Sequence, residues 1–211
     1  MKKLLPIMLL FVFGCEASVE DSLSKYEHKT DVALYNEAKS LAKSGNTKQS
    51  AEAFAALRAF HPESNLVKKS LTDTLKMHML NGQYDEAKEI ADKIIDWYPG
   101  SNIADEAYYF KGMAILGTHR TWLQKKLDVP AYDLNATRLI EAKNCFTSVV
   151  NDYPHSRFVP QAKKQLRAIN SYLAKHELHI AKYYQSHGNM SAAKARIQTA
   201  HLIDPSAKEL R

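Results

Sequence analysis

Asn81–Ser101 reads NGQYDEAKEIADKIIDWYPGS. Gly82 opens the phrase, a helical pattern follows, and Pro99 with Ser101 closes it. The cadence recurs: Gly45 leads to Pro62, Gly82 to Pro99 and Gly188 to Pro205, seventeen residues in each case. Pro154 closes a fourth stretch that lacks an opening glycine. Counting back from the prolines gives a ladder. Ser50, Ala87, Ala142 and Ala193 stand twelve residues before them; Phe54, Ala91, Phe146 and Ile197 stand eight before. Leu57, Ile94, Val149 and Ala200 stand five before, and Ser64, Ser101, Ser156 and Ala207 two after. Steps of four and three put the ladder on one face of a helix. A small residue, then a larger one, then a medium one lets a neighbouring helix approach. The glycine ends the preceding helix in a conformation that a Cβ resists, and the proline stops the second helix. Each unit therefore reads as two antiparallel helices, and units must stack to bury their apolar faces. The alternative is an ordinary helical bundle with coincidental turns, against which four matches to one register weigh.

The glycine–alanine–large–alanine–proline order resembles the tetratricopeptide (TPR) repeat of about 34 residues. The expected fold is all-α, a TPR-like helix-pair solenoid of about four repeats over 31–211, with an insertion in the third. Composition agrees. The 211 residues are 45% hydrophobic and 25% charged. That balance and length suffice for a folded core. Strand-like alternation persists nowhere. The formal charge of +6 falls to +4 when Lys2 and Lys3 are set aside with the leader. No compact Lys/Arg cluster with interleaved aromatics points to nucleic acid.

Met1–Gly14 reads as an export signal: a basic start, an apolar run from Leu4 to Phe13, and a small residue before Cys15. Ten apolar residues are too few for a permanent span. Val12-Phe13-Gly14-Cys15 resembles the lipobox of bacterial lipoproteins, in which the cysteine becomes the lipid-bearing first residue; Phe13 is bulkier than usual there. An ordinary secretory signal cut nearby is the rival. Residues 15–30 read as a short polar tether. Cys145 sits inside a helical pattern beside Phe146 and reads as a small core residue. With Cys15 acylated it has no disulfide partner.

The first repeat spans about Asp31 to Ser64 and the second about Asn65 to Ser101. The third opens with a helix from about Ile103 to Leu116, then an insertion from Gly117 to Ala136 carrying Trp122, Pro130 and Tyr132. Such an insertion contacts a partner or packs back over the groove. A helix resumes at Thr137. Arg157 to His187 reads as a long helical stretch with room for one break, and Ala192 to Ile203 as the last helix.

One run is more specific. Asp133, Thr137 and Arg138 in YDLNATRLIEAKNCF are followed by DYPHSRF, Glu177-Leu178, Ile180-Ala181, Tyr183-Tyr184, Gly188 and Arg196. This order resembles the BamD family, TPR lipoproteins of the outer-membrane β-barrel assembly machinery, over roughly residues 12–205. The resemblance implies a non-catalytic, lipid-anchored scaffold on the periplasmic face of the outer membrane. Its partners would be the POTRA region of BamA, other lipoproteins of the complex, and unfolded outer-membrane proteins. It implies partner contact for Arg196, at the position of a family arginine near the BamA contact; a solvated helix arginine is the alternative. Arg138, Trp122 and Tyr132 are the other expected partner-binding residues, and Cys15 the lipidation site. The family typically has five repeats, and this sequence ends after the fourth. A different TPR lipoprotein adaptor, pilotin-like or associated with the cell wall, is the competing reading.

The sequence holds no Gly-rich phosphate loop, GxSxG, HExxH or CxxC, the short motifs through which catalysis most often announces itself. His176 and His179 could share a metal, but no third ligand is evident. Tyr108, Tyr109, Phe110, Tyr183 and Tyr184 read as interhelical packing before a cofactor box. No cofactor or metal is expected.

Overall fold

The computed structural model describes residues 23–119 and 136–208. A short 3-10 turn, Ser24–Tyr26, precedes α1 (Asp31–Lys43), α2 (Thr47–Phe60), α3 (Leu66–Leu80) and α4 (Tyr84–Trp97). Then come α5 (Ala104–His119), α6 (Ala136–Asn151), α7 (Val159–Ser186) and α8 (Met190–Ile203). No strand occurs among the described residues. The fold is all-α and built of TPR-like helix pairs.

Two corners, repeated, make the pairs. At the glycine corners, Gly45, Gly82 and Gly188 take φ of 81, 69 and 73°. The amide after each reaches back five residues, at 2.9 Å: Asn46 to the Leu41 carbonyl, Gln83 to His78, Asn189 to Tyr184. The glycine amides donate to Ala42, Met79 and Gln185. This pair of hydrogen bonds is the Schellman closure, and it needs a left-handed residue at its centre. At the proline corners, the residue before each proline accepts from the amide three places on. Ser64 donates to His61 at 3.0 Å, Ser101 to Tyr98 at 3.2 Å, Ser156 to Tyr153 at 2.9 Å and Ala207 to Asp204 at 3.0 Å. Proline thus holds the second position of a tight turn, where its fixed φ is favourable. At the first three corners a second such bond launches the next helix: Val67 to Ser64, Ala104 to Ser101, Val159 to Ser156. The seventeen-residue count is therefore one helix plus two tight corners.

The ladder is the buried face. Of its twelve helical positions, eleven are at most 1% exposed, and Ile197 is partly buried. Ser50 stands where the other repeats have alanine, and its hydroxyl is buried. It donates to the Ala38 carbonyl on α1 at 2.8 Å. That bond removes the cost of an unpaired buried polar group.

The chain divides into two compact units, up to Ser70 and from Leu71, with the boundary inside α3. In the first, Leu34, Ala38, Phe54, Leu57 and Val67 form the core, and Tyr35 meets Phe54 edge-on at 5.8 Å. The described part of the expected tether belongs to this core. Tyr26 is 2% exposed, Lys25 and Lys29 lie 4.8 and 5.2 Å from its ring centre, and their ammonium groups pair with Glu52 and Glu37. A polar stretch anchored by one tyrosine reads as linker by composition, but the ring supplies the buried area.

In the second unit, Leu71, Leu75, Ala87, Ala91, Ile94, Ala107 and Ala114 form one cluster. Ile115, Leu139, Ala142, Phe146, Val149, Ala162 and Leu173 form the next, and Ala174, Leu178 and Ala200 a third. Tyr109 stacks on Phe158 at 4.7 Å, with Phe110 and Phe146 edge-on around that pair. These aromatics pack between helices. Tyr183 does not: it is 59% exposed and lies 4.1 Å from the His187 ring. α7 runs 28 residues without the break allowed from sequence. No glycine or proline interrupts it between Gln161 and Ser186, and it packs on α6 along one part and α8 along another. Those two residue types are the ones most costly inside a helix. The third repeat also departs from expectation, since α5 continues to His119 before the insertion.

Candidate functional site

Two surfaces of the second unit carry Arg138 and Arg196, two of the four expected partner residues. The first is a cleft of 280 Å³ between α4, α5 and α6, lined by Tyr84, Asp85, Lys88, Ala114, Ile115, Arg138 and Glu141. Close backbone approach shapes it. Gly117 lies so near Tyr84 that a Cβ there would stand 2.7 Å from the ring. The floor is apolar and the rim carries charges of both signs. Its volume falls just below the usual range of ligand pockets.

The second surface is the α7–α8 pair. Arg196 Nη1 donates to Glu177 Oε2 at 3.0 Å, with the arginine side chain 43% and the glutamate 16% exposed. That contact, ahead of a bond to Tyr184, raises the guanidinium pKa above its usual value. Arg196 is therefore neither a loose surface cation nor a lining residue of the Arg138 cleft. Met190 and Leu202, 63% and 79% exposed, leave apolar side chains on α8 facing solvent. Trp122, Tyr132 and Cys15 lie outside the described residues.

A buried carboxylate escaped the sequence reading. Glu106 of α5 is 7% exposed and accepts from Lys76 Nζ at 2.9 Å and Arg157 Nη2 at 3.0 Å. One anion thus ties α3, α5 and the corner before α7. Its signal in sequence, an acid in the first turn of a helix, also fits simple dipole matching. Cys145 is buried and free, and burial pushes its thiol up to about 11. Among the described residues no group of three His, Cys, Asp or Glu could hold a metal ion. No described helix is long and apolar enough to cross a membrane.

Corner for corner, the described chain is a TPR-like helix-pair protein whose apolar ladder is buried by its own stacking. The match of residues 27–202 to the family model for YfiO, outer membrane lipoprotein, places it in that family, to which BamD belongs. Its curated relatives include the outer membrane protein assembly factor BamD of Xylella fastidiosa (strain 9a5c), 28% identical over 77% of this chain and 56% of the relative. BamD of Caulobacter vibrioides is 27% identical over 89% of this chain and 58% of the relative. The chain thus spans between 56% and 58% of the length of these two relatives. Among solved structures, TTC0263, a thermophilic TPR protein of Thermus thermophilus, is 13% identical with a TM-score of 0.42, covering 84% of this chain and 93% of that one.

Proposed function

We propose that the chain is a non-catalytic scaffold of outer-membrane protein assembly, held to the outer membrane by lipid on Cys15 and facing the periplasm. It binds the POTRA region of BamA and unfolded β-barrel precursors. The observation that carries this reading is the family match over residues 27–202, which runs through the described helix pairs. The geometry supports it. The ladder is filled by its own side chains, while the Arg138 cleft and the α7–α8 face offer polar rims over apolar patches. Peptide-binding surfaces are built that way. Arg196 is the proposed contact to BamA, pre-oriented by Glu177, and Arg138 with Trp122 and Tyr132 the proposed contacts at the third repeat. The test is co-purification in mild detergent from solubilised outer membranes. Recovery of BamA with the wild-type protein, and a weaker yield with Arg196→Ala, is expected. Recovery of a secretin or of peptidoglycan in place of BamA overturns the reading.

A further inference from the structure

We propose that one face of α7, a row of cations running from Lys164 to Lys182, docks the acidic face of a partner protein. Charge selects this helix. Residues 159–203 hold seven lysines and arginines against one carboxylate, Glu177, so their excess equals the +6 of the whole chain. The rest of the sequence is balanced. None of α1 to α6 exceeds +2, while α7 alone reaches +4. Helix stability does not favour such an arrangement. Lys163 and Lys164 stand four and three places before Arg167, spacings at which like charges weaken a helix.

The cations share a face. At about 100° per residue, Lys164, Arg167, Lys175 and Lys182 fall within about 80° of arc on the helix, and all four are exposed. From first to last the row runs about 27 Å. Glu177 lies off that arc, paired with Arg196 at 3.0 Å. The row is thus apart from the Arg196 contact, and it shares no residue with the Arg138 cleft. Asp204 stands near Lys175, but its carboxylate accepts from the Ser206 hydroxyl and amide at 2.6 and 3.0 Å. Ala168 and Ser171 separate the cations, and the large apolar side chain that α7 exposes, Tyr183, stands beyond Lys182. A helix that enters the headgroup boundary sets large apolar side chains against its basic face. A basic row without them suits carboxylates on a protein surface, where complementary charge fixes register and partner choice.

The test uses the full chain carrying Cys15→Ala, so that no acyl chain holds it to lipid. The probes are a helical peptide of about 20 residues, long enough to follow the row, with glutamate at every fourth position, its glutamine counterpart, and phosphatidylglycerol vesicles. One triple variant, Lys164→Gln with Arg167→Gln and Lys175→Gln, removes charge from the row. A second, Lys43→Gln with Lys48→Gln and Lys93→Gln, removes the same charge from exposed positions on α1, α2 and α4. Circular dichroism should match wild type for both, since all six side chains are exposed. Fluorescence anisotropy at about 150 mM salt, where distant charges are screened, reads the binding. The glutamate peptide should bind and the glutamine peptide should not. The row variant should weaken binding about tenfold, the yield of three lost surface pairs, and the second triple should bind like wild type. Equal weakening by the two triples reduces the effect to net charge and overturns the docking, as does failure of the glutamate peptide to bind. Vesicles that hold the chain through the row more tightly than the peptide does overturn it too, because a membrane is then the occupant. Arg196→Ala should leave peptide binding unchanged, so loss of the row's partner is told apart from loss of the BamA contact proposed above.

Discussion

Ser50 and Gly112 show how much single positions carry. A serine in an alanine register survives because Ala38 offers its carbonyl at 2.8 Å. Gly112, mid-helix in α5, exists for the opposite reason: a Cβ there would stand 2.7 Å from Phe146 Cζ, and Phe146 is 0% exposed with nowhere to go. Overpacking costs about 1–3 kcal/mol, against a gain of up to about 1 kcal/mol in helix propensity. Gly112→Ala should therefore lower stability in a denaturant titration. Gly117→Ala is the contrast. Tyr84 is half-buried at the cleft and can swing aside. That variant should unfold within about 0.5 kcal/mol of wild type, the range of substitutions that strain nothing. Cys145 makes a chemical prediction. Its side chain is buried and its thiol pushed up to about 11. It should resist alkylation at pH 8 in the folded protein and react once unfolded, because the thiolate is the reactive form. Mass spectrometry before and after denaturation reads this out, and rapid labelling of the native state would contradict the packing.

At the level of elements, the glycine and proline corners do most of the organising, and both were legible. They are local: a Schellman closure and a tight turn need only residues within six places of each other. The N-terminal segment was not legible, because Tyr26 finds its partners across α1 and α2. Its fastening has a pH signature. Ser64 first, then the Val32 amide, hold the Asp31 carboxyl below its usual 3.8. With the folded value depressed, the unfolded chain takes up the proton first as the solution is acidified. The contribution is complete above the unfolded pKa of about 4 and disappears as pH falls through the folded value. Asp31→Asn should therefore melt below wild type at pH 7, with the gap closing in strong acid. A gap that stays constant from neutral to acid pH rules out this role for the carboxylate.

For the molecule as a whole, the proposed lipid anchor and the repeats make separable predictions. Cys15→Ala should yield a protein that fractionates with the soluble periplasm, while wild type stays with membranes through high-salt washes; a variant that still sediments removes the acyl anchor. Its helical circular dichroism should match wild type, since no described core residue lies before Tyr26. By itself the sequence determined the helix pairs, the ladder face and the family, because each rests on short-range spacing that one chain segment displays alone. Only the tertiary structure decided that Arg196 is paired with Glu177, that Arg138 lines a cleft apart from it, and that Glu106 joins three segments. Those facts depend on residues as far apart as 19 and 51 positions meeting in space, as Glu177–Arg196 and Glu106–Arg157 do. Periodicity tells which face of a helix is buried, but the partner that a charge finds is set by how neighbouring helices stack.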